Sequence, residues 1–195
     1  MPTVLVAGTW GGFNAGDWWR PGSPFAREAG RNGVRLLAPD DPFRWSTRLD
    51  GIIGDNGEWE LSGEVLKWYC HAKAPGEPVN LIAHSHGGQV AAYAAARGLR
   101  VSTLITIATP VRRDMEPVYS RASGSISGRW VHIHTGRRDR WQWLGGLGDG
   151  LLGVRREMPA PARNVLEPGR DHTSLLDPAL WTERGWWKLA GEAGS

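Results

Sequence analysis

The chain has 195 residues, a net charge of +3 and one cysteine. This length supports one domain with a substantial core, and a composition of 41% hydrophobic and 22% charged residues is ordinary for a globular protein. The single cysteine, Cys70, excludes a disulfide within the chain. The arginines are dispersed rather than gathered in a basic stripe, so we expect no nucleic-acid partner.

Targeting signals are not evident in the sequence. The first apolar run, residues 4–7, is far too short for the hydrophobic region of a signal peptide. No run approaches the ~20 apolar residues that a membrane span needs. We therefore expect a soluble, cytoplasmic protein without a transmembrane segment; its oligomeric state cannot be deduced from the sequence.

Short apolar runs alternate with helical patterns along the chain. The runs predict strands at residues 3–8, 34–38, 79–83, 101–108 and 130–135, with a weaker sixth at 163–167. Helices are predicted at residues 24–31, 58–72, 88–97 and 178–189. Several strands are almost continuously Val, Leu and Ile, which is typical of strands covered on both faces. The sequence therefore predicts a single α/β domain over residues 1–195, with about six mostly parallel strands flanked by helices.

The loop after the third predicted strand carries the clearest chemical pattern. The sequence Ala83-His84-Ser85-His86-Gly87 joins a predicted strand directly to a predicted helix. This sequence fits the nucleophile-elbow pattern, which consists of a small residue, any residue, serine, any residue and glycine. The small residues permit a very sharp turn. The elbow exposes the serine hydroxyl above the sheet and makes Ser85 the candidate nucleophile. The simpler alternative is a loop in which Ser85 caps the following helix.

A serine nucleophile needs a base on another loop at the same edge of the sheet. His71 lies in a predicted helix, and His132 and His134 lie within a predicted strand. His84 and His86 flank the serine and should point elsewhere. His172 alone follows both a strand-like segment and a turn, so it is the candidate base.

An aspartate that orients the base should follow an earlier strand. Asp139 comes shortly after the predicted strand at residues 130–135 and is the preferred candidate. Asp114 and Asp149 remain alternatives, whereas Asp171 is interpreted as a loop residue beside His172. The order Ser85, Asp139, His172 matches the Ser…Asp…His order of one class of hydrolases.

The glycine-rich turn after the first predicted strand is the expected source of an oxyanion donor. The main-chain amides of Thr9 and Trp10 are the candidates there, with Thr9 preferred. The second donor is the amide of His86, which follows the candidate nucleophile and begins a helix.

These residues resemble the α/β-hydrolase superfamily, and within it the small lidless lipases and esterases. The resemblance is carried by the Ala-His-Ser-x-Gly-Gly elbow at residues 83–88 and by the Thr-Ile-Ala-Thr-Pro sequence at residues 106–110. It implies a serine hydrolase that acts on a small-molecule or lipid ester, without a cofactor or metal, through an acyl-enzyme intermediate. The stretch 111–129 is too short for a large helical cap domain.

The chain contains twelve tryptophans against three phenylalanines. Six of them fall on predicted loops beyond strand ends: Trp10, Trp18, Trp19, Trp45, Trp141 and Trp143. Of these, Trp18, Trp19, Trp141 and Trp143 are the candidate walls of a substrate pocket, the alternative being that they cover the core. Arg137, Arg138 and Arg140 surround the candidate acid and are interpreted mainly as solvated surface residues.

The sequence is also compatible with functions other than that of an esterase. The same machinery would serve a phage-type envelope-lipid esterase or an amidase. A metalloenzyme would use the pairs His84-x-His86 and His132-x-His134, although side chains that straddle an elbow should diverge. A binding module on the same fold is the third alternative.

Overall fold

The structure, a computed structural model, describes residues 1–9, 17–46, 57–135, 154–155 and 157–191. Within these residues the strands are β1 (Thr3–Val6), β2 (Val79–His84), β3 (Val101–Ile107), β4 (Val111–Arg112), β5 (Ile126–His134), β6 (Val154–Arg155) and β7 (Arg163–Leu166). The helices are α1 (Pro24–Arg31), α2 (Gly57–Lys73), α3 (Gly87–Ala96), α4 (Glu116–Ser125), α5 (Pro178–Glu183) and α6 (Trp187–Gly191). This alternation confirms the predicted α/β class.

The main sheet has five strands in the order β1-β2-β3-β5-β7, and every neighbouring pair is parallel. The register aligns Leu5 with Ile82, Ile82 with Ile105, and Ile105 with Val131. Because the strands are parallel, the loops that leave β1, β2, β5 and β7 all start at one edge. The short strands β4 and β6 form a separate antiparallel pair.

Side chains from successive strand residues enter two different cores, one on each face of the sheet. Val4 and Val6 join the cluster that contains residues of α2, α3 and α4. Leu5 and Ala7 join the cluster that contains residues of α1, α5 and α6. Two covered faces explain why the strands are apolar throughout rather than alternating.

Local signals fix where two of the helices begin. Ser23 Oγ accepts a hydrogen bond from the amide of Ala26 at 3.0 Å and caps α1, which begins with Pro24. Asp177 caps α5 in the same way through the amide of Ala179 at 2.9 Å.

Three segments differ from the prediction. Residues 34–38 do not form a strand; Leu36 makes only an isolated parallel bridge to Thr3, beside the edge strand β1. The helix predicted over residues 178–189 is divided into α5 and α6, because Gly185 adopts a left-handed φ of 64°. Helix α4 was not predicted, since its Ser- and Gly-containing sequence is a weak helix former.

The stretch between β3 and β5 carries no large cap. It consists of β4, a short 3-10 turn at Arg113–Met115 and α4. Helix α4 lies against α3 and buries Val118, Tyr119 and Ala122. Among the helices of the described ranges, none combines the length and the hydropathy that crossing a bilayer requires.

Candidate active site

Ser85 occupies a strained turn at the carboxyl end of β2. Its φ is 54°, in the left-handed region that side chains with a Cβ rarely adopt. Its amide donates to the main-chain oxygen of Ile107 at 2.8 Å, and its own carbonyl oxygen accepts from the amide of Gly88 at 3.0 Å. The turn is therefore fixed on both sides, by β3 and by the first turn of α3.

Glycines around Ser85 allow the main chain to approach very closely. A Cβ added at Gly8 would lie 2.7 Å from the Cβ of Ser85. A Cβ at Gly87 would overlap the carbonyl of Ala7 and lie 2.6 Å from the oxygen of Val6. The loop after β1 thus packs directly on the elbow, which only residues without a side chain permit.

His86 follows Ser85 as the N-cap residue of α3, and its ring is buried. Its Nδ1 contacts Thr9 Oγ1, so the loop after β1 and the elbow also meet through side chains. The ring stacks on Trp59 of α2, with 5.0 Å between ring centres and 27° between planes. Burial, and then the nearby charges of His172 and Arg112, lower the pKa of His86 to about 3, so this imidazole is neutral at neutral pH.

His172 lies in the loop after β7, close to the histidine that precedes the elbow serine. The rings of His84 and His172 are 4.7 Å apart, and His84 Nε2 donates to the main-chain oxygen of His172 at 3.0 Å. Asp171 shapes the following turn, because its Oδ1 accepts from the amides of Ser174 at 2.7 Å and Thr173 at 3.1 Å. Those hydrogen bonds lower the pKa of Asp171 and commit its carboxylate to the loop, as predicted.

The fold and this arrangement can be compared with known structures. No protein-family model matches the chain, and no curated protein matches it in sequence. An esterase from Pyrococcus furiosus matches with a TM-score of 0.56 at 15% identity, over 95% of this chain and 81% of that chain. A predicted CIB-like hydrolase from Thermoplasma acidophilum matches with a TM-score of 0.59 at 11% identity, over 98% and 87% of the two chains. An acetyl xylan esterase from Paenibacillus sp. R4 matches with a TM-score of 0.52 at 14% identity, over 97% and 73%.

The chain has an α/β-hydrolase fold. In this fold Ser85 lies in a strained turn after β2 and His172 lies in the loop after β7.

Several of the candidate residues lie outside the described residues. They are Asp139, Trp10, Trp141, Trp143, the alternative acid Asp149 and the arginines Arg137, Arg138 and Arg140. Their proposed roles therefore stay predictions. The alternative acid Asp114 is described, and its carboxylate accepts two hydrogen bonds from Arg112, at 2.9 Å and 2.6 Å.

The described tryptophans of the candidate pocket are buried. Trp18 is 3% exposed and Trp19 is 7% exposed, and both belong to the core on the α1 side of the sheet. Trp18 packs edge-on against Phe25 at 4.9 Å and against His84 at 6.3 Å. Trp45 donates from Nε1 to the main-chain oxygen of Ala7 at 2.9 Å. These contacts give the described tryptophans a packing role, and their part in a pocket stays a prediction.

The two histidine pairs differ in geometry. The ring of His84 faces His172, whereas that of His86 faces Thr9 and Trp59, so the first pair diverges as expected. The rings of His132 and His134 lie parallel, 5.5 Å apart. In the described ranges no group of three or more His, Cys, Asp or Glu side chains is arranged to hold a metal ion.

Two side chains near His86 carry no local signal in the sequence. The pattern of residues assigns neither Trp59 nor Arg112 a place beside Ser85. In the structure the guanidinium carbon of Arg112 lies 5.2 Å from the centre of the Trp59 ring. The pairing joins elements far apart in sequence, so no local spacing could have indicated it.

Proposed function

We propose that this chain is a serine hydrolase that cleaves carboxylic esters, with Ser85 as the nucleophile. The observation that carries the proposal is the left-handed φ of 54° at Ser85, held between a parallel strand and a helix. Such a conformation costs about 1–3 kcal/mol and persists only where the surrounding structure enforces it, which is common at active sites. A serine that only capped a helix would have an extended backbone, as Ser23 has with φ −61° and ψ 155°.

His172 is the proposed base. It would take the proton of the Ser85 hydroxyl as Oγ attacks the carbonyl carbon of the ester, giving a tetrahedral adduct. As the adduct collapses, the C–O bond to the alcohol breaks and His172 returns the proton to the leaving oxygen. Water, deprotonated by the same imidazole, then attacks the acyl carbon. As this second adduct collapses, the C–Oγ bond breaks, His172 returns the proton to Ser85 Oγ, and the carboxylic acid is released.

Asp139 is the proposed orienting acid. It follows β5, which lies between β3 and β7 in the sheet, so its loop leaves the same edge as the loop of His172. Two described aspartates have partners of their own, whereas the alternative Asp149 lies outside the described residues. Asp114 receives two hydrogen bonds from Arg112, and Asp171 holds the turn beside His172.

The oxyanion of the tetrahedral adduct would be bound by main-chain amides. The amide of His86 is at the N-terminus of α3, where the helix dipole favours negative charge. The amide of Thr9, or that of Trp10, is the second proposed donor, because the preceding Gly8 packs on Ser85 itself. No cofactor or metal is part of this scheme.

The neighbours in structure support an ester as the proposed substrate. Two of them are described as esterases, one of them an acetyl xylan esterase. We therefore propose an ester of a small molecule or a lipid as the substrate.

The proposal is tested by covalent labelling with a fluorophosphonate probe. We expect one label per chain at Ser85, loss of the label in Ser85→Ala, and normal labelling in the control Ser120→Ala, which removes an exposed hydroxyl from α4. Hydrolysis of p-nitrophenyl esters of graded chain length should depend on Ser85 and His172. Absence of labelling in the folded wild-type protein would contradict the proposal.

A further inference from the structure

Two side chains connect the loops that supply the proposed oxyanion donors. Thr9 follows Gly8 in the loop after β1, and His86 follows Ser85 at the start of α3. Thr9 Oγ1 contacts His86 Nδ1, a contact between residues 77 positions apart in the chain. The same two residues carry the preferred main-chain amides of the proposed oxyanion hole, so this contact bears directly on the distance between those amides.

The imidazole of His86 is held firmly. The residue is 7% exposed, and its ring stacks on Trp59, which is fully buried in α2. The guanidinium of Arg112 lies 5.2 Å from the Trp59 ring centre and is itself bound to the carboxylate of Asp114 at 2.9 Å and 2.6 Å. A ring in these surroundings has little freedom to turn away from Thr9.

The imidazole also keeps one charge state during the proposed reaction. Burial and the charges of His172 and Arg112 hold the pKa of His86 near 3. A neutral imidazole presents one N–H and one lone pair, and either can pair with a hydroxyl. His86 therefore stays neutral, and its contact with Thr9 is maintained, when His172 becomes protonated.

We propose that Thr9 and His86 are positioning residues whose side-chain contact fixes the separation of the two oxyanion-hole amides, with Trp59 holding the imidazole in place. The inference rests on the proposed serine hydrolase function. Oxyanion donors act over distances of roughly 2.7–3.1 Å, and a displacement of about 1 Å can cost on the order of 100-fold in rate. The contact between the Thr9 hydroxyl and the His86 imidazole connects both loops and can hold the two amides at a fixed separation.

The test compares Thr9→Val, which removes the hydroxyl, with Thr9→Ser, which keeps it. We expect Thr9→Val to lower kcat by about 10-fold or more with KM changed by less than about 2-fold, because the amides act on the transition state. Thr9→Ser should recover most of that loss. His86→Leu and His86→Asn form the second pair, because the asparagine amide can replace Nδ1.

Two further measurements separate positioning from general damage. A boronic acid that forms a tetrahedral adduct with Ser85 should bind more weakly to Thr9→Val by the same factor as the loss in kcat. The pH profile of kcat/KM should keep its shape, since His172 is unchanged. The double variant Thr9→Val/His86→Leu should lose little more than either single variant, because both remove the same contact.

The outcomes distinguish this inference from the proposed function. A wild-type protein without Ser85-dependent ester hydrolysis would overturn both. An active wild type whose kcat is unchanged in Thr9→Val, or lost equally in Thr9→Val and Thr9→Ser, would overturn the positioning role alone. If the losses in kcat of the two single variants multiply in the double variant, the positioning role is also overturned. Circular dichroism and the melting temperature establish that each variant is folded.

Discussion

His84 Nε2 donates a hydrogen bond to the main-chain oxygen of His172, with 3.0 Å between the two atoms. His84 ends β2 and directly precedes Ser85, whereas His172 lies in the loop after β7, on the far side of β3 and β5. One side chain therefore connects the elbow to the loop of the proposed base. His84 is only 4% exposed, so the donor side of this part-buried hydrogen bond is shielded from water.

Removing this bond should weaken the proposed catalysis. We expect His84→Leu to lower kcat/KM by about 10-fold or more, because the loop of the proposed base, His172, loses its connection to the proposed nucleophile, Ser85. His84→Gln should retain more activity, since its amide nitrogen can take the place of Nε2. Steady-state hydrolysis of a p-nitrophenyl ester measures the difference. His71→Gln, on the exposed side of α2, is the control and should match the wild type. Equal activity in His84→Leu and the wild type would contradict the prediction.

The sequence was sufficient to predict the sharp turn at Ser85, because such a turn has local steric requirements. A serine with positive φ needs small neighbours, and Ala83 and Gly87 stand where the pattern requires them. The parallel sheet was equally predictable from strands that are apolar on both faces.

The contacts around the elbow could not be predicted in this way. The stacking of Trp59 on His86 depends on how α2 packs beside α3, and the position of Arg112 depends on the chain after β3. Such pairings are set by tertiary packing and leave no regular spacing in the sequence. The role of Asp139 stays a prediction, because it lies outside the described residues.

Close packing at Gly87 should make it intolerant of a side chain. The Cβ of an alanine would overlap the carbonyl of Ala7 and lie 2.6 Å from the oxygen of Val6, and main-chain atoms of a buried strand end cannot move aside cheaply. We expect Gly87→Ala to lower the free energy of unfolding by about 2 kcal/mol or more.

The matched control is Gly124→Ala in α4, where an added Cβ would meet nothing within 4 Å. That variant should be neutral or more stable by about 0.5 kcal/mol, since alanine favours the helix. Urea denaturation followed by tryptophan fluorescence compares the two. Equal stability of the two variants would show that the turn at Gly87 accommodates a Cβ, contrary to the structure.

Cys70 should be unreactive in the folded protein. It is 1% exposed within α2, and burial raises the pKa of its thiol to about 12. The reactive thiolate is therefore scarce at mildly alkaline pH. We expect almost no reaction with a disulfide reagent such as DTNB in native buffer and complete reaction in concentrated guanidinium chloride. Cys70→Ser provides the blank, and rapid labelling of the native protein would contradict the prediction.

The buried imidazole of His86 should make stability fall as pH falls. Burial, with the charges of His172 and Arg112, lowers its pKa from 6.5 in the unfolded chain to about 3 in the folded protein. Between those values the unfolded chain binds a proton that the folded protein does not, so acid favours unfolding. This stability is fully present above the unfolded pKa and is lost progressively as pH falls toward the folded pKa.

His86→Asn removes this titration and keeps a group that can contact Thr9. Between about pH 7 and about pH 5, the wild type should lose about 2 kcal/mol more unfolding free energy than His86→Asn. Urea denaturation at the two pH values measures the loss in each protein. His71→Asn, which removes an exposed histidine, should lose stability in parallel with the wild type. If the wild type and His86→Asn lose the same unfolding free energy between the two pH values, the imidazole at position 86 is accessible to protons in the folded protein. That result would contradict its burial beneath Trp59 and Thr9.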